Sequence, residues 1–170
     1  MRKLLLTSNG LTPELSETVL KLFDTKPEET TVAFIATASE EETDKGYVLK
    51  DRAAFEALGF KEVVDVDIKQ PEEFAKLDAC QVIFVEGGNT YYLLSWIRKS
   101  GFDQKVKELL SNDKFYIGAS AGSMVLGTSI ETASLGINAD NFITFWKACL
   151  ELMSLAHAMF LVHRSGEIIP

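Results

Sequence analysis

One segment constrains the fold more than any other. Lys114-Phe115-Tyr116-Ile117 is a short apolar run, and Gly118-Ala119-Ser120-Ala121-Gly122-Ser123 follows it with no spacer. Met124-Val125-Leu126 comes next and can open a helix. A strand that passes through a tight turn straight into a helix brings the two elements almost into contact beside the turn. Only small residues fit there, which accounts for glycine at 118 and 122 and alanine at 119 and 121. Ser120 then stands at the apex of G-x-S-x-G, the sequence form of a nucleophile elbow, with its hydroxyl above the end of the sheet. The N–H groups of the helix's first turn have no intrahelical acceptor and are available to an oxyanion. The same residues also suit a turn that only packs a helix against a strand, so the motif carries a chemical reading and an architectural one.

Strand and helix signals alternate along the chain. Lys3–Thr7, Thr31–Ile35 and Gln81–Val85 are short apolar runs that read as buried strands, and Val63–Ile68 alternates apolar and acidic residues like a strand near a sheet edge. Between them lie helical patterns. Thr12-Pro13-Glu14 opens one with a stripe of Leu15, Val19, Leu20 and Leu22. Tyr47–Leu58 is stopped by Gly59, Pro71–Leu77 is short, and Tyr91–Lys99 and Phe102–Leu110 are separated by Ser100-Gly101. Residues 36–44 are polar and acidic and read as a loop. This alternation predicts an α/β domain, a doubly wound, mostly parallel sheet covered by helices on both faces. Ligands of such sheets bind beyond the strands' C-terminal ends, where three loops gather: 36–45, 86–90 and 118–123.

The 170 residues suit one domain. Seventeen Lys and Arg against 25 Asp and Glu give a net charge of −8, which argues against a nucleic-acid partner. Cys80 and Cys149 lie far apart without a C-x-x-C neighbour, and read as reduced, buried thiols of a cytoplasmic protein. Two histidines without ligand spacing give no metal site, and no cofactor motif is present. The three leucines after Arg2-Lys3 are too few for a signal peptide, and no apolar run reaches membrane-spanning length.

A second motif, Glu86-Gly87-Gly88-Asn89-Thr90, follows a buried strand and opens a helix. Its glycines allow close backbone approach to a ligand and their N–H groups can supply a second oxyanion donor, while Asn89 or Thr90 can cap the helix. Together F-V-E-G-G-N-T-Y-Y-L-L and Y-I-G-A-S-A-G-S resemble the peptidase E family of serine peptidases, relatives of the class I glutamine-amidotransferase fold with serine replacing cysteine at the elbow. L-L-L-T-S and A-F-I-A-T-A-S near the start are similar to the family's pattern as well. The resemblance implies a three-layer, amidotransferase-like sheet and hydrolysis of dipeptides with N-terminal aspartate. It implies Ser120 as nucleophile, Gly88 and Ala121 as oxyanion donors beside Gly87, and Asn89 and Thr90 lining the site.

The family's base is a histidine some forty residues after the serine. His157 and His163 lie 37 and 43 residues after Ser120, and the spacing permits either. His163 is favoured, because Phe160-Leu161-Val162 can form a strand that delivers it to a loop. A helical reading of 142–161 competes, with His157 on a helix face and His163 in a tail. Asp140 is the candidate acid and Glu131 a weaker one. The resemblance covers roughly residues 1–135, so the single domain expected over 1–170 has an atypical or shortened C-terminal part. A sheet lacking an edge strand there favours dimerisation. The leading expectation is a serine peptidase acting on small peptides. The alternative is a catalytically inactive or truncated amidotransferase-like domain, with a binding role or no activity, that keeps the elbow as architecture.

Overall fold

The computed structural model describes residues 3–22, 25–127, 158–162 and 168–169. In chain order the elements are β1 (Lys3–Thr7), α1 (Pro13–Leu22), β2 (Thr31–Ile35), α2 (Gly46–Ala57), β3 (Glu62–Asp65), α3 (Phe74–Ala79), β4 (Val82–Val85), α4 (Thr90–Ser100), α5 (Phe102–Ser111), β5 (Phe115–Ala119), α6 (Ala121–Met124), β6 (Ala158–Val162) and β7 (Ile168–Ile169). The strands form one sheet in the order β3-β2-β4-β5-β1-β6-β7. Every pair is parallel except β6 with β7.

The strands read as apolar runs because both faces of the sheet are covered. Successive side chains of a strand point to opposite faces. Leu4, Leu6, Ala33, Ile35, Ile83, Val85 and Tyr116 join Leu77, Leu93, Ile97, Phe102, Val106 and Leu109 of α3, α4 and α5 in one core. Leu5, Val32, Phe34, Val82, Phe84, Phe115 and Ile117 join Leu15, Val19 and Phe55 of α1 and α2 in the other. Phe34, Phe55 and Phe84 form the aromatic centre of this second layer, with ring centroids 5.0–6.5 Å apart. The three-layer, doubly wound α/β architecture is therefore the one the alternating pattern implies.

Differences from the sequence reading fall at margins. The ladder of β3 stops at Asp65 because β2, its only partner among the described residues, ends one residue after the last pair, Phe34 with Asp65. Val66 and Ile68 remain buried beyond it without strand pairing. Leu20 is exposed, so the buried stripe of α1 is carried by Leu15 and Val19. In the acidic segment after β2, Thr37–Ser39 form a buried 3-10 turn. Its Ala38 carbonyl accepts the Asn89 N–H at 2.8 Å, bracing the loop after β4. Gly59 ends α2 at φ 78°, as its position after the last apolar residue suggests. No helix among the described residues is long and apolar enough to cross a membrane. Cys80 is buried and unpaired, and Cys149 lies outside the described residues.

This topology positions the site. β5 lies between β4 and β1, so the turns leaving three adjacent parallel strands emerge side by side at one edge. Thr7 and Ala119 are register partners, and so are Val85 and Gly118.

Candidate active site

Ser120 has φ 45° and ψ −105° between β5 and α6. A non-glycine residue at positive φ is strained by about 1–3 kcal/mol and persists only where its surroundings hold it. Here the surroundings are specific. The Ser120 N–H donates to the Thr7 carbonyl at 2.9 Å, and the Ser120 carbonyl accepts from the N–H groups of Ser123 and Met124, both at 2.9 Å. The buried Ser123 hydroxyl accepts from the Thr7 N–H at 3.1 Å. Its single proton is placed between the carbonyls of Thr7 (2.9 Å) and Gly118 (2.7 Å). The Tyr116 hydroxyl donates to the Gly122 carbonyl at 2.7 Å. The turn is thus tied to both β1 and β5.

The flanking glycines are required by contact. A Cβ at Gly118 would stand 2.7 Å from the carbonyl carbon and oxygen of Gly122, and one at Gly122 would overlap the Val85 carbonyl. Strand, turn and helix pack backbone against backbone, as the small-residue pattern around Ser120 implies.

Beside Ser120 lies a cavity of about 350 Å³. Ser8, Asn9 and Gly10 after β1, Glu86, Gly87 and Gly88 after β4, and Ala119 and Ser120 contribute to its wall. Glu42 closes it from the loop after β2, and Tyr47, Lys50 and Asp51 from α2. At the glycine pair the backbone donors divide. The Gly87 N–H is taken by Glu86 Oε1 at 2.7 Å and the Asn89 N–H by Ala38. Among the described residues no acceptor faces the Gly88 N–H, at a residue with φ 134° where a Cβ would overlap the Ala38 carbonyl. Ala121 is the first residue of α6, where a backbone N–H lacks a helical acceptor.

The cavity also holds a buried acid pair. Glu86 is 1% exposed and Asp51 4%. Asp51 Oδ1 accepts the Leu11 N–H at 3.2 Å, and the carboxyl lies so close over Gly10 that any Cβ there would collide with it. Glu86 Oε2 has no hydrogen-bond partner; the neighbouring ionisable group is the Asp51 carboxyl, and two carboxyls bond only through a shared proton. Burial, then the Asp51 charge, pushes Glu86 up to about 8. Burial pushes Asp51 up to about 6 against the Leu11 N–H and Lys50. Tyr47 is pushed to about 12 by burial and by Glu86. It stays protonated, and its hydroxyl reaches toward the Gly87 carbonyl at 3.4 Å.

Beyond this geometry, the model of peptidase family S51 matches residues 4–157. The chain belongs to peptidase family S51. It is 34% identical over 134 residues to an uncharacterized peptidase of Listeria monocytogenes, covering 76% of this chain and 63% of that one. Peptidase E of a Nostoc species is 29% identical over 103 residues, covering 61% and 42%. The chain thus spans less than two thirds of the length of these curated relatives. Among solved structures, a Listeria monocytogenes protein described as peptidase E superposes with a TM-score of 0.70 at 28% identity, covering 80% of this chain and 68% of that one. A peptidase from an acI-B1 Actinobacterium shares the fold, with a TM-score of 0.62 at 18% identity and coverage of 92% and 79%.

Of the candidate site residues, the structure brings Ser120, Gly87 and Gly88 to one cavity, with Ala121 next to the serine. A Cβ at Gly87 would be only 3.3 Å from the Ser120 Cβ. Asn89 and Thr90 are placed otherwise. The Asn89 side chain caps α4 by accepting the Tyr92 N–H at 3.0 Å, Thr90 is buried in the first turn, and neither lines the cavity. His157, His163, Asp140 and Glu131 lie outside the described residues. β6 is described, however, and Val162 is level with Thr7 and therefore with Ala119. The acid pair, the Ser123 anchor and the Lys50 ammonium are features that sequence reasoning missed. Among the described residues no group of three or more His, Cys, Asp or Glu side chains could hold a metal ion.

Proposed function

We propose that this S51 chain is a serine-type peptidase acting on small peptides, with dipeptides carrying an N-terminal aspartate as its preferred class. The observation that carries the reading is Ser120 held at φ 45° on a cavity wall, where a packing turn needs no serine and no cavity. In the reaction Ser120 Oγ attacks the peptide carbonyl while a histidine takes its proton. The N–H groups of Gly88 and Ala121 stabilise the resulting oxyanion. The histidine then returns the proton to the leaving amine, and water attacks the acyl-enzyme to release the amino-terminal residue and free Ser120.

The register of β6 favours His163 as that base. The chain leaves β6 after Val162 at the sheet edge where Ser120 stands, whereas His157 precedes β6. Asp140 is the acid proposed to orient it. Lys50 on the cavity wall offers a cation for the side-chain carboxylate of the substrate's aspartate. The buried, free Cys80 supports a cytoplasmic location.

The test is hydrolysis of Asp-Leu against Leu-Leu and Ala-Leu, with Ser120→Ala as control. Cleavage of Asp-Leu that disappears in the variant is expected. Folded protein that cleaves none of the three contradicts the reading and leaves the elbow as architecture.

A further inference from the structure

The cavity beside Ser120 contains more buried acid than the hydrolytic reaction uses. Three carboxyls, Glu42, Asp51 and Glu86, and one ammonium, Lys50, line it. Glu42 and Lys50 are exposed, but Asp51 and Glu86 are not. An isolated buried carboxylate is costly, and a pair of them more so. A core serving stability alone would place apolar groups here, because β4 is otherwise wholly apolar and buried up to Val85. Glu86 instead lines the cavity with one oxygen, Oε1, bonded to the Gly87 N–H and the other, Oε2, unpartnered.

Position indicates what this acid meets. Gly87 packs against Ser120, and Glu86 is the residue before it. In a peptide attacked at its first carbonyl, the α-nitrogen lies only two bonds from the carbon that Ser120 engages. The group bound next to the nucleophile is therefore a primary ammonium, with three donors and no acceptor. It is complementary to an acid pair whose remaining oxygen lacks a donor.

We propose that Glu86, backed by Asp51, is the subsite for the free α-ammonium of the substrate's first residue, and that the ammonium displaces the proton the two carboxyls otherwise share. This deepens the peptidase reading and rests on it. Before substrate arrives, the shared proton spares the site two adjacent buried charges. When the ammonium docks, it supplies both the positive charge and the donors, and the proton leaves to solvent. The groups facing Glu86 are Asp51 and Tyr47 from α2, with Lys50 and Glu42 at the cavity's outer wall. The segments Ser8–Gly10 and Ala119–Ser120 bring no charge. Tyr47 keeps its proton throughout, so among the described groups lining the cavity Glu86 and Asp51 are the ones able to release one near neutrality, and repeating the titration in His163→Ala separates their proton from one released by the proposed base. A peptide with a blocked amino terminus has neither the charge nor the donors, and would leave the pair protonated.

The experiment is calorimetric titration of the Ser120→Ala protein with Asp-Leu and with N-acetyl-Asp-Leu near pH 6.5, in two buffers of different ionisation enthalpy. Asp-Leu should bind at least about tenfold more tightly, a modest requirement for a charge-assisted contact. It should also release about one proton per peptide bound, the amount the linkage demands. Glu86→Gln in the same background keeps the side-chain shape and the Gly87 bond, and should lose both the preference and the proton release. Asp51→Asn should reduce both. Equal binding of the two peptides, binding of neither, or a preference that survives Glu86→Gln overturns the proposal. Wild-type hydrolysis separates this from failure of the peptidase reading. Equal cleavage of the free and acetylated peptides sinks only the subsite, and cleavage of neither sinks the peptidase.

Discussion

Replacing Glu86 by glutamine removes one ionisable group from the acid pair while leaving its shape and its bond to the Gly87 N–H. Its effect on stability can be worked through from the structure. The folded-state value of Glu86 is raised from an ordinary 4.5 to about 8, first by burial and then by the Asp51 charge. This is the reverse of the usual paired carboxylate. Between those values the native protein holds a proton that the unfolded chain has released. Stability therefore falls as pH rises through the window, and is fully present only below the unfolded value. Each unit is worth about 1.36 kcal/mol, so the wild type should lose about 3–4 kcal/mol between about pH 5 and about pH 8 through this group. Asp51, raised from 3.8 to about 6, adds to the lower part of the window in both proteins. Urea unfolding at constant ionic strength across that range measures the difference. Both proteins should decline up to about pH 6 through Asp51, and above it the wild-type free energy should keep falling steeply while that of Glu86→Gln levels off. Parallel curves for the two proteins would refute the shared-proton account of this site.

Two further substitutions probe the turn that holds Ser120. Gly122→Ala forces a methyl onto the Val85 carbonyl, which is backbone and cannot swing away; a loss of about 3 kcal/mol in denaturant unfolding is expected, with far less if α6 moves freely. Ser123→Ala leaves the buried Thr7 N–H without its side-chain acceptor; about 1–3 kcal/mol should be lost, together with slower labelling of Ser120 by serine-directed reagents.

The central sheet was legible because β1, β2, β4 and β5 bury both faces, which writes them as uninterrupted apolar runs. The turn at Ser120 was legible because backbone–backbone contact admits only glycine at 118 and 122. Edges were less so. The register of β3 depends on where its partner β2 ends, which Val63–Ile68 does not encode. The exposure of Leu20 depends on which face of α1 meets the sheet. The Asp51–Glu86 pair went unread because each residue alone looks ordinary, an acid on a helix and an acid at a strand's end. Their meeting depends on α2 packing over the turns after β1 and β4. The signal available was local: a carboxylate between the buried run Val82–Val85 and the Gly87-Gly88 turn has no obvious route to water. Asn89 illustrates the opposite case. Two roles were open from the sequence, and the side chain is found capping α4.

The most direct test of the account is whether Ser120 is a nucleophile. Wild-type protein treated with a fluorophosphonate, followed by peptide mass analysis, should carry one adduct on Ser120, lost in Ser120→Ala and reduced in His163→Ala. Folded protein that remains unlabelled at Ser120, or is labelled only at Ser123 or Ser8, contradicts it.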